Sequence, residues 1–195
     1  MRAWWVQALR ATIVVTAVAE ILRGDVPYGL FCLVALAFAR GSVIVARQID
    51  LRPPVMLELV LLSVLVGDMT LGSSLGLYVS APGYDKLLHV VTAMLLAGVG
   101  AFAMWRHARA VDRARGVFEG ALVVLATLGI GALWELSEYT VDRVLGRTTQ
   151  SAPGMHALSD TMADLGADLV GAVLGVALAA SYVAALTRRD PRPAR

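Results

Sequence analysis

Eight side chains able to hold a proton or a metal ion fall in three apolar stretches of the second half: Asp85 and His89, then Glu135, Glu138 and Asp142, then Asp160, Asp164 and Asp168. Asp85 and His89 are spaced i, i+4 and share a helix face. Glu135, Glu138 and Asp142 follow i, i+3, i+7 and share another. Asp160, Asp164 and Asp168 form a stripe descending about 12 Å along a helix. Carboxylate oxygens with an imidazole suit a hard or borderline divalent ion such as Mg²⁺, Mn²⁺ or Zn²⁺. Ligand pairs at i, i+3 and i, i+4 on neighbouring helices are also how metal sites in bundle cores are built. So many like charges cannot all ionise in a low dielectric: some take up protons, or a cation neutralises them. The expected metal ligands are Asp85, His89, Glu135, Glu138, Asp164 and Asp168. His89 or Glu138 is the expected proton-transfer group, and Asp68 and Asp160 are second choices. His156 is expected to cap the same region from a loop.

The elements that must position these groups are membrane spans. The chain of 195 residues is 58% hydrophobic and only 16% charged, against about a quarter charged in soluble domains. Six stretches approach bilayer length, at roughly 4–22, 26–46, 55–77, 85–106, 117–140 and 160–186. The fold class is therefore all-α, a single polytopic membrane domain of six spans over residues 1–195. Pro27 and Pro53-Pro54 suit helix starts. Ser80-Ala81-Pro82-Gly83 reads as a turn, and Ser159 as the N-cap of the last span. Ala93, Ala97 and Ala101 continue the Asp85/His89 face. Gly171 and Gly175 continue the Asp164/Asp168 face as a GxxxG, which places the acids at a helix–helix interface. Gly129 and Gly131 would let a neighbouring backbone approach.

Charge distribution orients the spans. With both termini cytoplasmic, twelve arginines lie inside and four cations outside (Arg23, Lys86, Arg143 and Arg147), with Arg10 within the first span. This is the positive-inside pattern of a bacterial cytoplasmic membrane protein, and it puts the acidic stripes at the outer ends. The 106–115 loop and the Arg-rich tail read as anchors near anionic lipid. Short basic runs without aromatics give no nucleic-acid reading. Thr16-Ala17-Val18-Ala19 resembles a signal-peptide cleavage site, while Trp4-Trp5 and the continuing apolar run favour an uncleaved span. The single cysteine, Cys32, excludes an intrachain disulfide and reads as a small apolar residue.

Tyr84-Asp85-Lys86-Leu87-Leu88-His89, Gly129-Ile130-Gly131-Ala132-Leu133-Trp134-Glu135-Leu136-Ser137-Glu138-Tyr139 and Asp160-Thr161-Met162-Ala163-Asp164-Leu165-Gly166-Ala167-Asp168, followed by Gly171 and Gly175, resemble the YjdF-type family of bacterial inner-membrane proteins. The Asp-Lys-x-x-His helix start and the later acidic helix before Gly-x-x-x-Gly are also distantly similar to VanZ-like proteins of the cell envelope. The likeness covers about residues 84–175. It implies the helical fold and the place of the site, and no particular reaction.

Taken singly, the charged residues have plainer readings. Asp85-Lys86, Asp142 and Asp160 suit interfaces and helix starts. Glu20, Glu58 and Glu119 suit solvated span ends. Glu135 and Glu138 suit ion pairs with Arg143 or Arg147, and Trp105 suits an interfacial belt. Taken together, the acids point to an outward-facing site that binds a divalent cation and acts on or binds an envelope or lipid-linked substrate. The alternatives are a proton- or cation-coupled transporter and a small accessory subunit of a membrane complex or homo-oligomer. Catalysis itself stays open at this level.

Overall fold

The computed structural model describes residues 4–48, 54–105, 113–151 and 154–189. Its elements are helices α1 (Trp4–Leu22), α2 (Val26–Gln48), α3 (Pro54–Leu65), a π-helical continuation over Val66–Ser74, a single turn α4 (Leu77–Ser80), and α5 (Tyr84–Trp105), α6 (Arg113–Leu145) and α7 (Ala157–Arg189). No strand occurs among the described residues. Six helices are long and apolar enough to cross a membrane, α3 and its π-helical continuation counting as one. Pro53 and the expected cytoplasmic arginines Arg2, Arg52, Arg106, Arg109, Arg192 and Arg195 lie outside the described residues.

Helix boundaries follow local chemistry, with some departures from the sequence reading. Asp25 rather than Pro27 sets the start of α2. Its carboxylate accepts from Tyr28 N (3.1 Å) while its carbonyl accepts from Gly29 N, the arrangement of an N-cap. Gly83 turns the chain into α5 at a φ of 81°, a conformation that costs glycine little. Ser159 is not the cap of α7. The helix starts at Ala157, and Ser159 N and Asp160 N both donate to the carbonyl of His156.

The chain forms two units of contacts, Met1–Tyr84 and Asp85–Arg195. The first has a core of Val6, Ile13, Ala17, Cys32, Leu62 and Met69. Its buried charges are paired. Glu58, read as solvated, is 4% exposed and binds both Arg10 and Arg40. Arg10 therefore reaches a carboxylate instead of snorkelling to an interface. Glu20 is also buried, bound by Arg23 (2.7 Å) and Ser74. In the π-helical segment Asp68 accepts from Tyr78 Oη at 2.6 Å. The Tyr78 ring lies where a side chain at Gly72 would sit.

The second unit is built on close helix contact. Gly171 and Gly175 of α7 lie against the carbonyls of Val90 and Met94 of α5, so a Cβ at either glycine would collide with backbone. This is the approach that small residues permit. Ala93, Ala97, Ala101, Trp105, Val123, Ala172 and Ala179 form the core. Trp105, read as an interfacial belt residue, packs inside this core. It is 6% exposed, and its indole N–H donates to Glu119 at 3.0 Å.

Candidate metal centre

All members of the cluster belong to the second unit. Asp85, Lys86 and His89 occupy the first turns of α5, Glu135 sits on α6, and Asp160, Asp164 and Asp168 line α7. The small face of α5 and the glycines of α7 bring these two helices together, which turns the α7 acids toward His89. Glu135, Asp160, Asp164 and Asp168 are all at most 4% exposed.

His89 is held from one side and open on the other. Its Nδ1 lies 3.1 Å from Asp168 Oδ1. A carboxylate on one ring nitrogen fixes ring orientation and tautomer, as it does for metal-bound histidines. Nε2 then faces three carboxylate oxygens: Glu135 Oε1 at 3.7 Å, Asp85 Oδ1 at 3.8 Å and Asp164 Oδ1 at 3.8 Å. None is within hydrogen-bond distance. Glu135 Oε1 is buried and has no hydrogen-bond partner among the described residues. Its other oxygen accepts from Thr161 Oγ1 (2.8 Å), which in turn takes a bond from Gln150 Nε2 (3.3 Å). Asp164 Oδ1 also lacks hydrogen-bond geometry, although Lys86 Nζ pairs with it at 2.6 Å.

Separations of this size are too long for direct bonds and suit a centre between the atoms. Ligand atoms about 2.0–2.2 Å from a tetrahedral zinc lie roughly 3.3–3.6 Å apart. Asp85, His89 and Asp164 offer ligand atoms that all fall within 4.8 Å of one another; Glu135 Oε1 also approaches Nε2, at 3.7 Å, but does not belong to that mutually close group. The donor set of two carboxylates and one imidazole suits a divalent ion with oxygen preference.

Glycine makes the orientation of His89 sterically achievable. The second oxygen of Asp168 lies over Gly131 of α6, where a Cβ would overlap it. Gly131 thus admits a side-chain carboxylate, not the neighbouring backbone expected from sequence, and among the described residues nothing lies within 4 Å of the Cβ position of Gly129.

The other expected residues have partners of their own or stand apart from His89. Glu138 accepts from Trp134 Nε1, one turn earlier on α6, at 3.0 Å. Asp142 does more than meet solvent: it accepts from Thr149 N (2.7 Å), Thr149 Oγ1 (2.7 Å) and Gln150 N (3.0 Å), clasping the chain beyond α6. Arg143 lies over the Tyr139 ring at 5.2 Å rather than against Glu135. His156 is exposed, and Asp68 belongs to the first unit. Asp160, a second choice, is the most buried of the acids at 2% and is ion-paired with Lys86. Lys86 is the group that sequence reading misplaced. Taken there for an interfacial charge, it binds Asp85 (2.9 Å), Asp160 and Asp164 together.

Six apolar helices and a buried acidic cluster define an integral membrane protein. Residues 1–185 match a family described as "Predicted membrane protein (DUF2238)", and the chain belongs to that family. No curated protein and no solved structure shows significant similarity to it.

Proposed function

We propose that this protein binds a divalent cation at the outer ends of α5, α6 and α7 in the bacterial cytoplasmic membrane, where it binds or acts on an envelope or lipid-linked substrate. The reading rests on one observation above all: His89 Nε2 faces three carboxylate oxygens at 3.7–3.8 Å, one of them buried without a hydrogen-bond partner. With Asp168 accepting the proton of Nδ1, a lone pair on Nε2 would point at negative charge, a repulsive arrangement that a shared cation relieves. Asp85, His89, Glu135 and Asp164 are the ligands in this proposal, and Asp168 orients the imidazole. A bound divalent ion would supply Lewis acidity and an activated water. Glu138, bonded to Trp134, is left outside the ligand set. The side-chain exposure of Asp85 (24%) and Lys86 (27%) gives the cluster one accessible end.

The outward orientation follows from the positive-inside pattern, and the likeness of the Asp-Lys-x-x-His start to VanZ-like proteins fits an envelope role. A relay across the bilayer is less well supported. Beyond the acids, the core of the second unit is alanine, valine and tryptophan. Thr127, buried among them, already donates to the carbonyl of Val123. The deciding experiment is metal analysis of the purified protein together with Asp164→Asn and Glu135→Gln. Stoichiometric Zn²⁺, Mn²⁺ or Mg²⁺ in the parent and its loss in both variants is expected. Equal metal content in all three would overturn the reading.

A further inference from the structure

We propose that Lys86 is the resident counter-ion of the cluster and that a divalent cation binds by displacing it. The inference rests on the divalent-ion reading above and adds to it a mode of regulation. Lys86 Nζ pairs with Asp85, Asp160 and Asp164, and two of these also offer ligand atoms beside His89. The sharing extends to a single atom. Asp164 Oδ1 lies 2.6 Å from Lys86 Nζ and 3.8 Å from His89 Nε2. A cation on that oxygen would sit a few ångströms from the ammonium, and like charges so close repel strongly where the dielectric is reduced. The lysine has somewhere to go. Its side chain is 27% exposed while that of Asp164 is 4% exposed, and a flexible four-carbon stem lets an ammonium reach an interface while the stem stays on apolar surface.

The exchange carries a selectivity. A monovalent ion that expels Lys86 replaces one positive charge by another and leaves the charge deficit of the acids unchanged. A divalent ion reduces it. The lysine thereby sets a threshold that singly charged ions do not pass.

The chain contains one lysine, so its chemistry can be followed directly. The first measurement is the rate of acylation at Lys86 by an amine-reactive ester, read by peptide mass spectrometry on full-length protein in micelles. Added Mn²⁺ is expected to speed the reaction several-fold in the parent and leave Asp164→Asn unchanged. Slowing or no change in a parent that binds Mn²⁺ overturns displacement. The second is Mn²⁺ affinity from spin-resonance titration. Lys86→Met is expected to bind at least about tenfold tighter than the parent. Lys86→Met/Asp160→Asn gives the same test with the Asp160 charge removed together with the ammonium that pairs with it. Weaker or equal binding by both variants, with binding still dependent on Asp164, sinks the counter-ion proposal and leaves the metal site standing. Absence of Mn²⁺, Zn²⁺ and Mg²⁺ binding by the parent and both lysine variants sinks the underlying site.

Discussion

Glu58 and the α6 and α7 acids around His89 are comparably buried, yet their electrostatic situations differ. In the first unit the partners are ample: Glu58 has two guanidinium groups, Glu20 has Arg23 and Ser74, and Asp68 has the Tyr78 hydroxyl. In the second unit, among the described residues, Lys86 and the His89 imidazole are shared by Asp85, Glu135, Asp160, Asp164 and Asp168. An acid with its own partner is explained by the fold that contains it. A set of acids that shares its cations is where the proposed divalent ion would enter.

Neutralising one acid in each unit should break or sharpen this contrast. The largest effect is expected for Glu58→Ala, which leaves Arg10 without its carboxylate and should cost about 3 kcal/mol of stability, the low end for a broken buried pair. Thermal unfolding in detergent measures it, and a neutral result would remove the first unit as the paired reference. Next is the response to metal. At a free ion concentration about 100 times Kd, the parent should gain about 2.7 kcal/mol and Asp164→Asn nothing. Without divalent ions the sign should reverse: Asp164→Asn should melt no lower than the parent, because it relieves like-charge repulsion. Asp168→Asn, which keeps the shape of the group behind His89, should weaken metal binding about 10–100-fold. Gly131→Ala should act in the same direction by pushing Asp168 aside, and calorimetric titration would compare the two. The smallest effect is expected for Thr161→Val, which removes one hydrogen bond to Glu135, worth about 1 kcal/mol. A Thr161→Val protein that loses all metal would show that Glu135 matters far more than its place beside Nε2 implies.

Much of this architecture was legible in the order of residues. Span number and approximate ends follow from apolar length, and the i, i+4 stripes on α5 and α7 correctly place Asp85, His89, Asp164 and Asp168 on facing surfaces. What escaped is what helical spacing cannot carry. Lys86 pairs with Asp160 across 74 positions of sequence, and only the approach of α5 to α7 makes that reach possible. Glu138 shares a face with Glu135 by spacing, yet the indole of Trp134 in the preceding turn binds it. The π-helical winding over Val66–Ser74 changes hydrogen-bond register without changing hydropathy. Read by apolar length, the third span runs straight through it. Glu20 and Glu58 sit near span ends, where solvation is the simpler reading. Arg23 and Arg40 belong to the same polar ends, and Arg10, within the first span, reads as snorkelling rather than as a partner for Glu58.

The clasp at Asp142 gives the site a handle on the water side. Asp142 holds Thr149 and Gln150, Gln150 reaches Thr161, and Thr161 steadies Glu135. An antibody fragment gripping residues 146–151 would therefore pull on an inner carboxylate through a short train of hydrogen bonds. The grip on the proposed ion would then be loosened from the solvent without any molecule entering the oily interior.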